Sequence, residues 1–344
     1  MRILVLLFSF AFISCKSTYN VIERKDIVLD SVSIRAIYPT IGGVWIGGTN
    51  SKVGFVSFQN DSDTKIVKLQ EEKTDFRSVA NSKMGLLFIN AGTPANMYAM
   101  GTFGNSYASS LIYTESGEKV FYDSMFIDAK TGLGIVIGDP TEDCLSILLT
   151  EDSAKTWNKI PCANLPKTVD GEAAFAASDT NVKIVEGVIF VISGGKKSRL
   201  FKSIDKGKTW EVFETPIIQG EAMTGAFSMD FFSKKKGIIV GGNYDKQKDN
   251  STNKAITKNG GKTWKLIAKN KAFGYASCVQ FMPKSKGKVI YACGTSGVYY
   301  SANYGKKWRK ILEDTDFYTL RFSSNKFIYL AGKNKVTKIK ISHQ

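Results

Sequence analysis

The sequence contains very little histidine, proline or cysteine. Its 344 residues include one histidine, seven prolines and five cysteines, and the histidine is His343, near the carboxyl end. No two cysteines stand in a CxxC spacing. The missing CxxC and the position of the single histidine at the extreme carboxyl end argue against a zinc site and against a histidine-based catalytic triad, so we predict no metal. No glycine-rich turn between a strand and a helix is evident, which argues against a dinucleotide cofactor, and we predict no cofactor at all.

Long hydrophobic runs are also absent from the amino terminus. Only twelve uncharged residues, 3–14, separate Met1-Arg2 from Cys15, which is too few to cross a bilayer as a helix. A basic start, a short apolar core and a small residue before a cysteine are typical of a secretory signal. The sequence of residues 12–15, FISC, resembles a bacterial lipobox with Phe in place of the usual Leu. We therefore predict a lipoprotein signal peptide over residues 1–14, a lipid on Cys15, a tether over residues 15–25 and a single domain over residues 26–344. An ordinary signal peptide is the alternative.

The cysteines also bear on the compartment. Cys15 is not followed directly by an aspartate, so the predicted location is the outer membrane, facing the periplasm, with surface display as the alternative. Disulfides are stable in that oxidising compartment. Cys144 and Cys162 flank one predicted turn symmetrically, and Cys278 and Cys293 flank another. Two disulfides are predicted, and four buried thiols are the alternative.

Four similar octets recur along the chain: TEDSAKTW at 150–157, SIDKGKTW at 203–210, TKNGGKTW at 257–264 and SANYGKKW at 301–308. Their tryptophans are 53, 54 and 44 residues apart, a period typical of a repeated four-stranded unit. A short polar side chain, a glycine suited to positive φ and an aromatic anchor predict a hairpin corner. The residues expected to build these corners are Asp152, Trp157, Asp205, Gly207, Trp210, Asn259, Gly261, Trp264, Asn303, Gly305 and Trp308. A bound cation is the alternative, but the copies differ too much in acidic residues to share a metal site.

These octets resemble the Asp-box, or bacterial neuraminidase repeat, S-x-D-x-G-x-T-W, which is found at the corners of β-propeller blades. The octet at 203–210 matches at every position, whereas Asn259 and Asn303 replace the aspartate and Ala154 replaces the glycine in other copies. Residues 113–120 resemble a decayed fifth copy. The resemblance implies an all-β propeller and says little about function, because hydrolases and binding modules both carry the motif.

The length predicts the number of blades. The 330 residues that follow position 14 correspond to seven units of about 47 residues. The last unit, 317–341, supplies only three predicted strands, and residues 26–30 form a spare strand ahead of the first unit. We predict a seven-bladed propeller whose last blade is closed by the amino-terminal strand, with six or eight blades as alternatives.

The formal charge of +16 comes mostly from lysines, many of them at predicted hairpin tips such as 234–236 and 284–288. Lysines scattered over tips are typical of a solvated surface that resists aggregation. No nucleic-acid-binding motif is present, so nucleic acid is not a predicted partner. Anionic lipid headgroups and acidic partners are compatible with this charge, and a monomer is predicted.

Polar residues at matched positions indicate a binding site. In a propeller the connections that enter each blade share one face, and the octet corners lie on the opposite face. The candidate ligand-binding residues on the first face are Arg35, Arg77, Asp123, Asp139, Glu172, Glu221, Asn243 and Tyr318. Two arginines can bind a carboxylate, and paired acids can perform proton transfer or bind sugar hydroxyls. A structural ring of salt bridges is the alternative.

Three segments resemble the photosystem II stability/assembly factor-like propeller family: DFRSV at 75–79, DAKTG at 128–132 and GEAAFAAS at 171–178. The resemblance covers the whole mature chain. It implies a role in protein assembly in which arginines on the propeller meet a partner. Exported bacterial members are often labelled oxidoreductase, but nothing in this sequence supports that activity.

The predicted function is that of a non-enzymatic, lipid-anchored propeller that binds a protein or other ligand. The alternative is a glycan-active hydrolase similar to sialidases, with Arg35 and Arg77 on a substrate carboxylate and Asp123 or Glu172 as proton donor. Sialidases of this architecture use three arginines and a tyrosine nucleophile, whereas only two arginines stand at matched positions here.

Overall fold

The computed structural model describes residues 18–103 and 106–343. The predicted signal peptide and the predicted lipidation site Cys15 lie outside these residues. The first strand begins at Tyr19, so residues 19–25, which we predicted as part of a tether, belong to a sheet. No helix in the part of the chain that is described is long and apolar enough to span a membrane.

The described chain consists of strands joined by turns and two short 3-10 helices, Asp61–Asp63 and Cys162–Asn164. The strands of the first half are β1 (Tyr19–Thr40), β2 (Gly43–Gly48), β3 (Lys52–Ser57), β4 (Lys65–Lys68), β5 (Asp75–Ser82), β6 (Gly85–Ala91), β7 (Ala95–Phe103), β8 (Ser106–Glu115), β9 (Tyr122–Ile127), β10 (Gly134–Gly138), β11 (Ser146–Thr150), β12 (Asn158–Lys159), β13 (Glu172–Ala173) and β14 (Val182–Val185). Those of the second half are β15 (Val188–Ile192), β16 (Gly194–Gly195), β17 (Arg199–Ser203), β18 (Glu211–Glu214), β19 (Thr224–Phe231), β20 (Gly237–Asn243), β21 (Lys254–Thr257), β22 (Lys265–Leu266), β23 (Cys278–Phe281), β24 (Ile290–Gly294), β25 (Gly297–Ser301), β26 (Arg309–Leu312), β27 (Phe317–Phe322) and β28 (Phe327–His343).

The strands pair antiparallel into a β-propeller of six blades, so the predicted count of seven is wrong. Blade 1 has the order β27-β28-β1-β2-β3-β4. Blade 2 is β5-β6-β7-β8, blade 3 is β9-β10-β11-β12, and blade 4 is β14-β15-β17-β18. Blade 5 has the order β13-β16-β19-β20-β21-β22, and blade 6 is β23-β24-β25-β26.

The count differs because blade 1 joins both ends of the chain in one sheet. The first part of β1, Tyr19 to Val28, pairs with β28 from His343 back to Lys335, and the later part, Ile34 to Thr40, pairs with β2. The amino-terminal strand therefore does lie beside the carboxyl-terminal strand. It does so within a continuous six-stranded sheet and not as the fourth strand of a separate blade.

The hydrophobic core lies between the blades. The inner and middle strands are rich in β-branched, leucine and aromatic residues, and their side chains alternate between the two surfaces of a sheet, so each blade presents an apolar surface to both neighbours. Ile89 of β6, for example, shares a buried cluster with Met125 of β9 and Val136 of β10. Ile135 of β10 packs in another cluster with Val191 of β15.

The four octets form corners between the third and outer strands of blades 3 to 6. In the octet at 203–210, the Gly207 amide donates to Ser203 Oγ at 2.8 Å, and the Thr209 amide donates to Asp205 Oδ1 at 2.9 Å. Trp210 Nε1 donates to the Gly207 carbonyl at 3.0 Å. The other octets repeat the bond to the first Ser or Thr and the bond to the Asp or Asn oxygen. We call the side of the propeller that carries these turns the corner face.

Of the two predicted disulfides, one is formed. Cys144 and Cys162 are bridged, with their Cα atoms 5.7 Å apart. Cys278 and Cys293 are direct cross-strand partners on β23 and β24, as the sequence predicted, but both are free, buried thiols. The second pair therefore matches the alternative of buried thiols.

Candidate functional site

The centre of the propeller is filled by a stretch of chain that leads into β14. We call residues 174–181, with the sequence AFAASDTN, the central segment. It runs between the inner strands of the blades, and its backbone and side chains bond to blades 1, 2, 3, 5 and 6. Sequence reasoning did not predict it as the hub of the molecule.

Asp179 ties the central segment to two blades. Its Oδ1 accepts from Ser78 Oγ at 2.5 Å and from the Met125 amide at 3.0 Å, and its Oδ2 accepts from the Val79 amide at 3.1 Å. The side chain is buried, and residue 179 has a positive φ of 57°. Burial raises the pKa of Asp179 to about 6, although the charge of Arg321 and the three donors oppose the shift.

The remaining blades hold the segment from the other side. Arg321 Nη2 donates to the carbonyls of Ser178 and Asp179 at 3.0 and 2.7 Å. Ser178 Oγ donates to the Ser277 carbonyl at 2.6 Å, and Thr180 Oγ1 donates to Ser228 Oγ at 2.7 Å. The channel along the propeller axis is therefore blocked by bonded protein and is not an open passage between the two faces.

Arg35 and Arg77 lie together at one mouth of this channel, as the sequence predicted. Arg77 Nη1 donates to the Ala176 carbonyl and Arg35 Nη1 to the Ala177 carbonyl, each at 3.1 Å. Arg77 also forms a salt bridge with Asp75, 2.7 Å from Nη2 to Oδ2. We call the side of the propeller with these two residues the arginine face. It is opposite the corner face, because the inner strands begin here and run towards the turns.

The environment of Arg35 distinguishes it from its neighbour. Its guanidinium carbon lies 4.3 Å from the centre of the Tyr318 ring, and no ion pair with a described carboxylate neutralises it. Burial and the like charge of Arg77 lower the pKa of Arg35. A cation held in this way is pre-positioned to attract an anionic group.

Asp123 and Asp139 also reach the central segment. Asp139 Oδ1 accepts from the Ala174 amide at 3.0 Å, and burial raises the pKa of Asp139 to about 6. Asp123 is only 1% exposed, and its Oδ2 has no hydrogen-bond partner. Burial and the neighbouring Asp139 carboxyl raise the pKa of Asp123, whereas Arg77 opposes that shift. These two acids share a site, but Asp123 lies beneath the surface.

Three of the predicted site residues, Glu172, Glu221 and Asn243, are bonded to partners other than Arg35 and Arg77. Glu172 is buried and pairs with Arg199, with Nη2 to Oε2 at 2.5 Å, and it also accepts from Ser193 Oγ. Glu221 accepts from Asn243 Nδ2 at 2.9 Å, and Asn243 in turn caps the following turn through its Oδ1. For these residues the structure favours the alternative of internal pairing.

Aromatic residues that the sequence did not single out lie close to Arg35. Phe175 of the central segment stacks on Phe227 with the ring centres 4.0 Å apart, and Phe227 packs edge-on against Tyr275 at 4.8 Å. Tyr244 packs on Tyr275 at 5.1 Å and is 38% exposed. Tyr244 directly follows Asn243, so the turn was identified but its aromatic residue was not.

The other mouth of the channel, on the corner face, opens into a cavity of about 370 Å³. Asp179 and Arg321 are among the residues that line it, and all six blades contribute to the lining. Lys183 Nζ contacts Asp230 Oδ1 at 3.1 Å in its wall and lies 5.0 Å from the centre of the Phe126 ring. The charges in this wall are therefore mutually neutralised. Within the described ranges no group of three or more His, Cys, Asp or Glu side chains is placed to hold a metal ion.

No protein-family model matches the chain, and a search of curated proteins found no match either. Solved structures do match. YCF48 bound to a D1 peptide is 13% identical, with a TM-score of 0.64 over 94% of this chain and 99% of that chain. YCF48 from Cyanidioschyzon merolae is 14% identical, with a TM-score of 0.61 over 92% and 98%. The WD40 repeats of RRP9 are 10% identical, with a TM-score of 0.65 over 95% and 100%.

At these identities the likeness establishes the β-propeller fold alone. Two of these three structures are of YCF48, a photosystem II assembly factor. RRP9 shares the fold to the same degree.

Proposed function

We propose that this protein is a non-enzymatic binding propeller that captures an acidic group of a protein partner on its arginine face. The observation that carries the proposal is Arg35, whose guanidinium packs on Tyr318 beside Arg77. Among the described residues, its one hydrogen-bond acceptor is the backbone carbonyl of Ala177. A carboxylate of the partner would form with it the charge-assisted bond that the protein itself does not supply.

The surroundings of Arg35 favour a protein over a small molecule. In protein–protein interfaces, the few residues that contribute most of the binding energy are enriched in arginine and tyrosine. Tyr244 and Tyr275 lie beside Arg35. The structural neighbour YCF48, which was solved bound to a D1 peptide, has the same overall fold. An acidic peptide segment of a partner is therefore the ligand class that we propose.

The hydrolase alternative finds less support. Of its two suggested proton donors, Glu172 is engaged by Arg199 in a buried ion pair and Asp123 is 1% exposed. A general acid has to reach the leaving group, so neither residue is well placed. Asp139 has a raised pKa, but its position against the central segment explains that shift by burial.

The cellular setting is part of the proposal. We propose that residues 1–14 are a signal peptide, that Cys15 carries a lipid and that the protein faces the periplasm from the outer membrane. The support is the sequence of residues 1–15. We further propose that the four corner octets are Asp-box repeats, because they use the Ser or Thr, Asp or Asn and Trp positions of that motif.

Site-directed photo-crosslinking tests the binding face. A photoreactive phenylalanine analogue at Tyr244, on the arginine face, should form an adduct with a polypeptide in cells. The same analogue at Tyr304, which is 43% exposed on the corner face, is the matched control and should not form that adduct. Mass spectrometry of the adduct distinguishes a polypeptide from a glycan, and a glycan would favour the hydrolase alternative.

The role of Arg35 is tested in the same strain. Arg35→Gln should reduce the Tyr244 adduct at least roughly tenfold, because a charge-assisted bond to a partner is lost. Arg309→Gln removes the same charge from an exposed strand of blade 6 and should leave the adduct unchanged. If the Arg35→Gln protein gives the same yield of the Tyr244 adduct as the protein with Arg35, the proposal is wrong.

A further inference from the structure

A groove on the corner face concentrates positive charge. It lies between the turn that joins β23 to β24 in blade 6 and the strands β1 and β28 of blade 1, and it has a volume of about 570 Å³. Four lysines line it: Lys284, Lys288, Lys326 and Lys340. We call this feature the lysine groove.

The charge of the lysine groove is largely unneutralised. Lys284, Lys288 and Lys326 are exposed, and none of them forms a salt bridge with a described residue. Lys340 is 3.7 Å from Glu23, a distance typical of a weak surface pair. No aspartate or glutamate is among the described residues that line the groove. The groove is therefore electrostatically complementary to a surface with closely spaced negative charges.

The position of the lysine groove is as informative as its charge. Tyr19 lines the groove, and it is four residues from Cys15. Four extended residues reach at most about 14 Å. A lipid on Cys15 would thus hold the groove close to the membrane, within a distance at which charges still interact at low salt. Ile22 also lines the groove and is 55% exposed. Its apolar side chain could therefore insert at the boundary between the lipid headgroups and the acyl chains.

We propose that the lysine groove binds the anionic headgroups of the membrane to which the chain is anchored. This inference rests on the proposed lipid attachment at Cys15 for its location, but the charge of the groove is independent of it. Each lysine near an anionic membrane adds to the attraction, so three or four together fix the orientation of the propeller. Because the groove is on the corner face, the arginine face is then turned away from the membrane and towards a partner.

The test uses the full-length protein purified from membranes. It is mixed with vesicles of phosphatidylcholine alone or of phosphatidylcholine with phosphatidylglycerol, and two quantities are measured: flotation with the vesicles and the labelling of each lysine by an amine-reactive reagent. We expect the labelling of Lys284, Lys288 and Lys326 to fall severalfold in the anionic vesicles and to recover at high salt.

Two triple variants separate the groove from the general charge. The variant with Lys284→Glu, Lys288→Glu and Lys326→Glu should lose the salt-sensitive retention by anionic vesicles by roughly tenfold or more. The variant with Lys234→Glu, Lys235→Glu and Lys236→Glu changes the same charge on another exposed turn of the corner face, between β19 and β20, and should behave as wild type. Equal loss in both variants would mean that net charge alone acts, and it would overturn the proposal.

The outcomes also separate this inference from the proposed anchor. A protein that floats with neutral vesicles but shows unchanged lysine labelling in anionic ones retains the anchor and refutes the groove. A protein that fails to float with neutral vesicles but is held by anionic ones through Lys284, Lys288 and Lys326 supports the groove and refutes the anchor. Neither result depends on whether the arginine face binds a partner.

Discussion

Asp179 shows how a single buried carboxylate can organise the centre of a propeller. Its two oxygens accept three hydrogen bonds, from Ser78, Val79 and Met125, and so connect the central segment to blades 2 and 3. A buried polar group stabilises a fold only when its partners are present, because unpaired groups are costly. An apolar residue at position 179 would leave two backbone amides without an acceptor.

The raised pKa of Asp179 predicts how stability depends on pH. Its pKa is about 6 in the folded protein, against 3.8 for the unperturbed group. The folded state therefore binds this proton more tightly than the unfolded chain, so the free energy of unfolding falls as pH rises from about 4 to about 6. The contribution amounts to at most about 3 kcal/mol. Asp139, whose pKa is also about 6, acts in the same direction.

Asp179→Asn removes the titrating group. Urea unfolding at a series of pH values should give a shallower decline between pH 4 and 6 than in the wild type, together with lower stability at acid pH, because one acceptor becomes a donor facing the Val79 amide. Ser78→Ala is the matched control: it removes one donor to Asp179 and should keep or steepen the decline. An Asp179→Asn protein with the wild-type slope would show that the carboxyl is not the titrating group.

At the residue scale the sequence located some of the site and missed the rest for physical reasons. Arg35 and Arg77 were placed together because both occupy the same position in consecutive repeats. Glu172 was grouped with them, but its partner Arg199 lies 27 residues away, and such a distant pairing leaves no local signal. Arg321 was not among the candidate site residues, although its bonds to the Ser178 and Asp179 carbonyls place it at the centre.

At the element scale the octet corners were the part of the fold that sequence determined best. The bonds that shape each corner, from backbone amides to the Ser or Thr and Asp or Asn oxygens of the octet, span at most four residues, so the motif itself carries the geometry. The central segment is the opposite case. Its Ala-rich sequence has no strand periodicity, and its bonds go to residues up to 143 positions away. The central segment can therefore take up its position only when the ring of blades has closed. Two signals were available: the long connection between β12 and β14, and the segment 171–178 that resembles the propeller family.

The corners also give an element-scale prediction. Gly261 has a φ of +84°, and a Cβ at this position would overlap Leu200 Cδ2 of the neighbouring blade. Gly261→Ala should therefore lower the free energy of unfolding by about 2 kcal/mol, from backbone strain and from overpacking together. Ala154, at the equivalent position of the first octet, has a φ of 74°, so the variant should still fold. Denaturant unfolding measures the loss.

Gly101→Ala is the matched control for this variant. Gly101 lies in β7, has no positive φ, and has open space where a Cβ would stand. The free energy of unfolding of the Gly101→Ala variant should equal or slightly exceed that of the wild type. If Gly261→Ala and Gly101→Ala unfold at the same denaturant concentration, the corner glycine is not needed for its left-handed conformation.

At the scale of the whole molecule, the number of blades was the main error. The tryptophan spacing gave a sound repeat length, but dividing the chain by that length assumed that the first and last units are separate sheets. In the structure β1 is 22 residues long and β28 is 17, and they pair over most of their lengths. Hydrogen bonding between the chain ends has no signature in the repeat spacing, so the single six-stranded blade 1 could not be counted from sequence.

Closure of the ring through β1 predicts the effect of shortening the chain. The first part of β1 covers the edge of β28, buries Tyr19 against Tyr300 and bonds Arg24 to Asp314 through two contacts of 2.8 Å. A chain that begins at residue 29 should lose at least about 3 kcal/mol of unfolding free energy with these contacts. It should also self-associate, because the bared edge and Ile339 and Ile341 offer a template for another strand. Light scattering measures the self-association, and denaturant unfolding measures the loss of stability. As the control, a chain that begins at residue 18, with β1 intact, should remain a monomer of full stability. If the two chains behave alike, the ring closes without residues 19–28, and the pairing of β1 with β28 does not stabilise the fold.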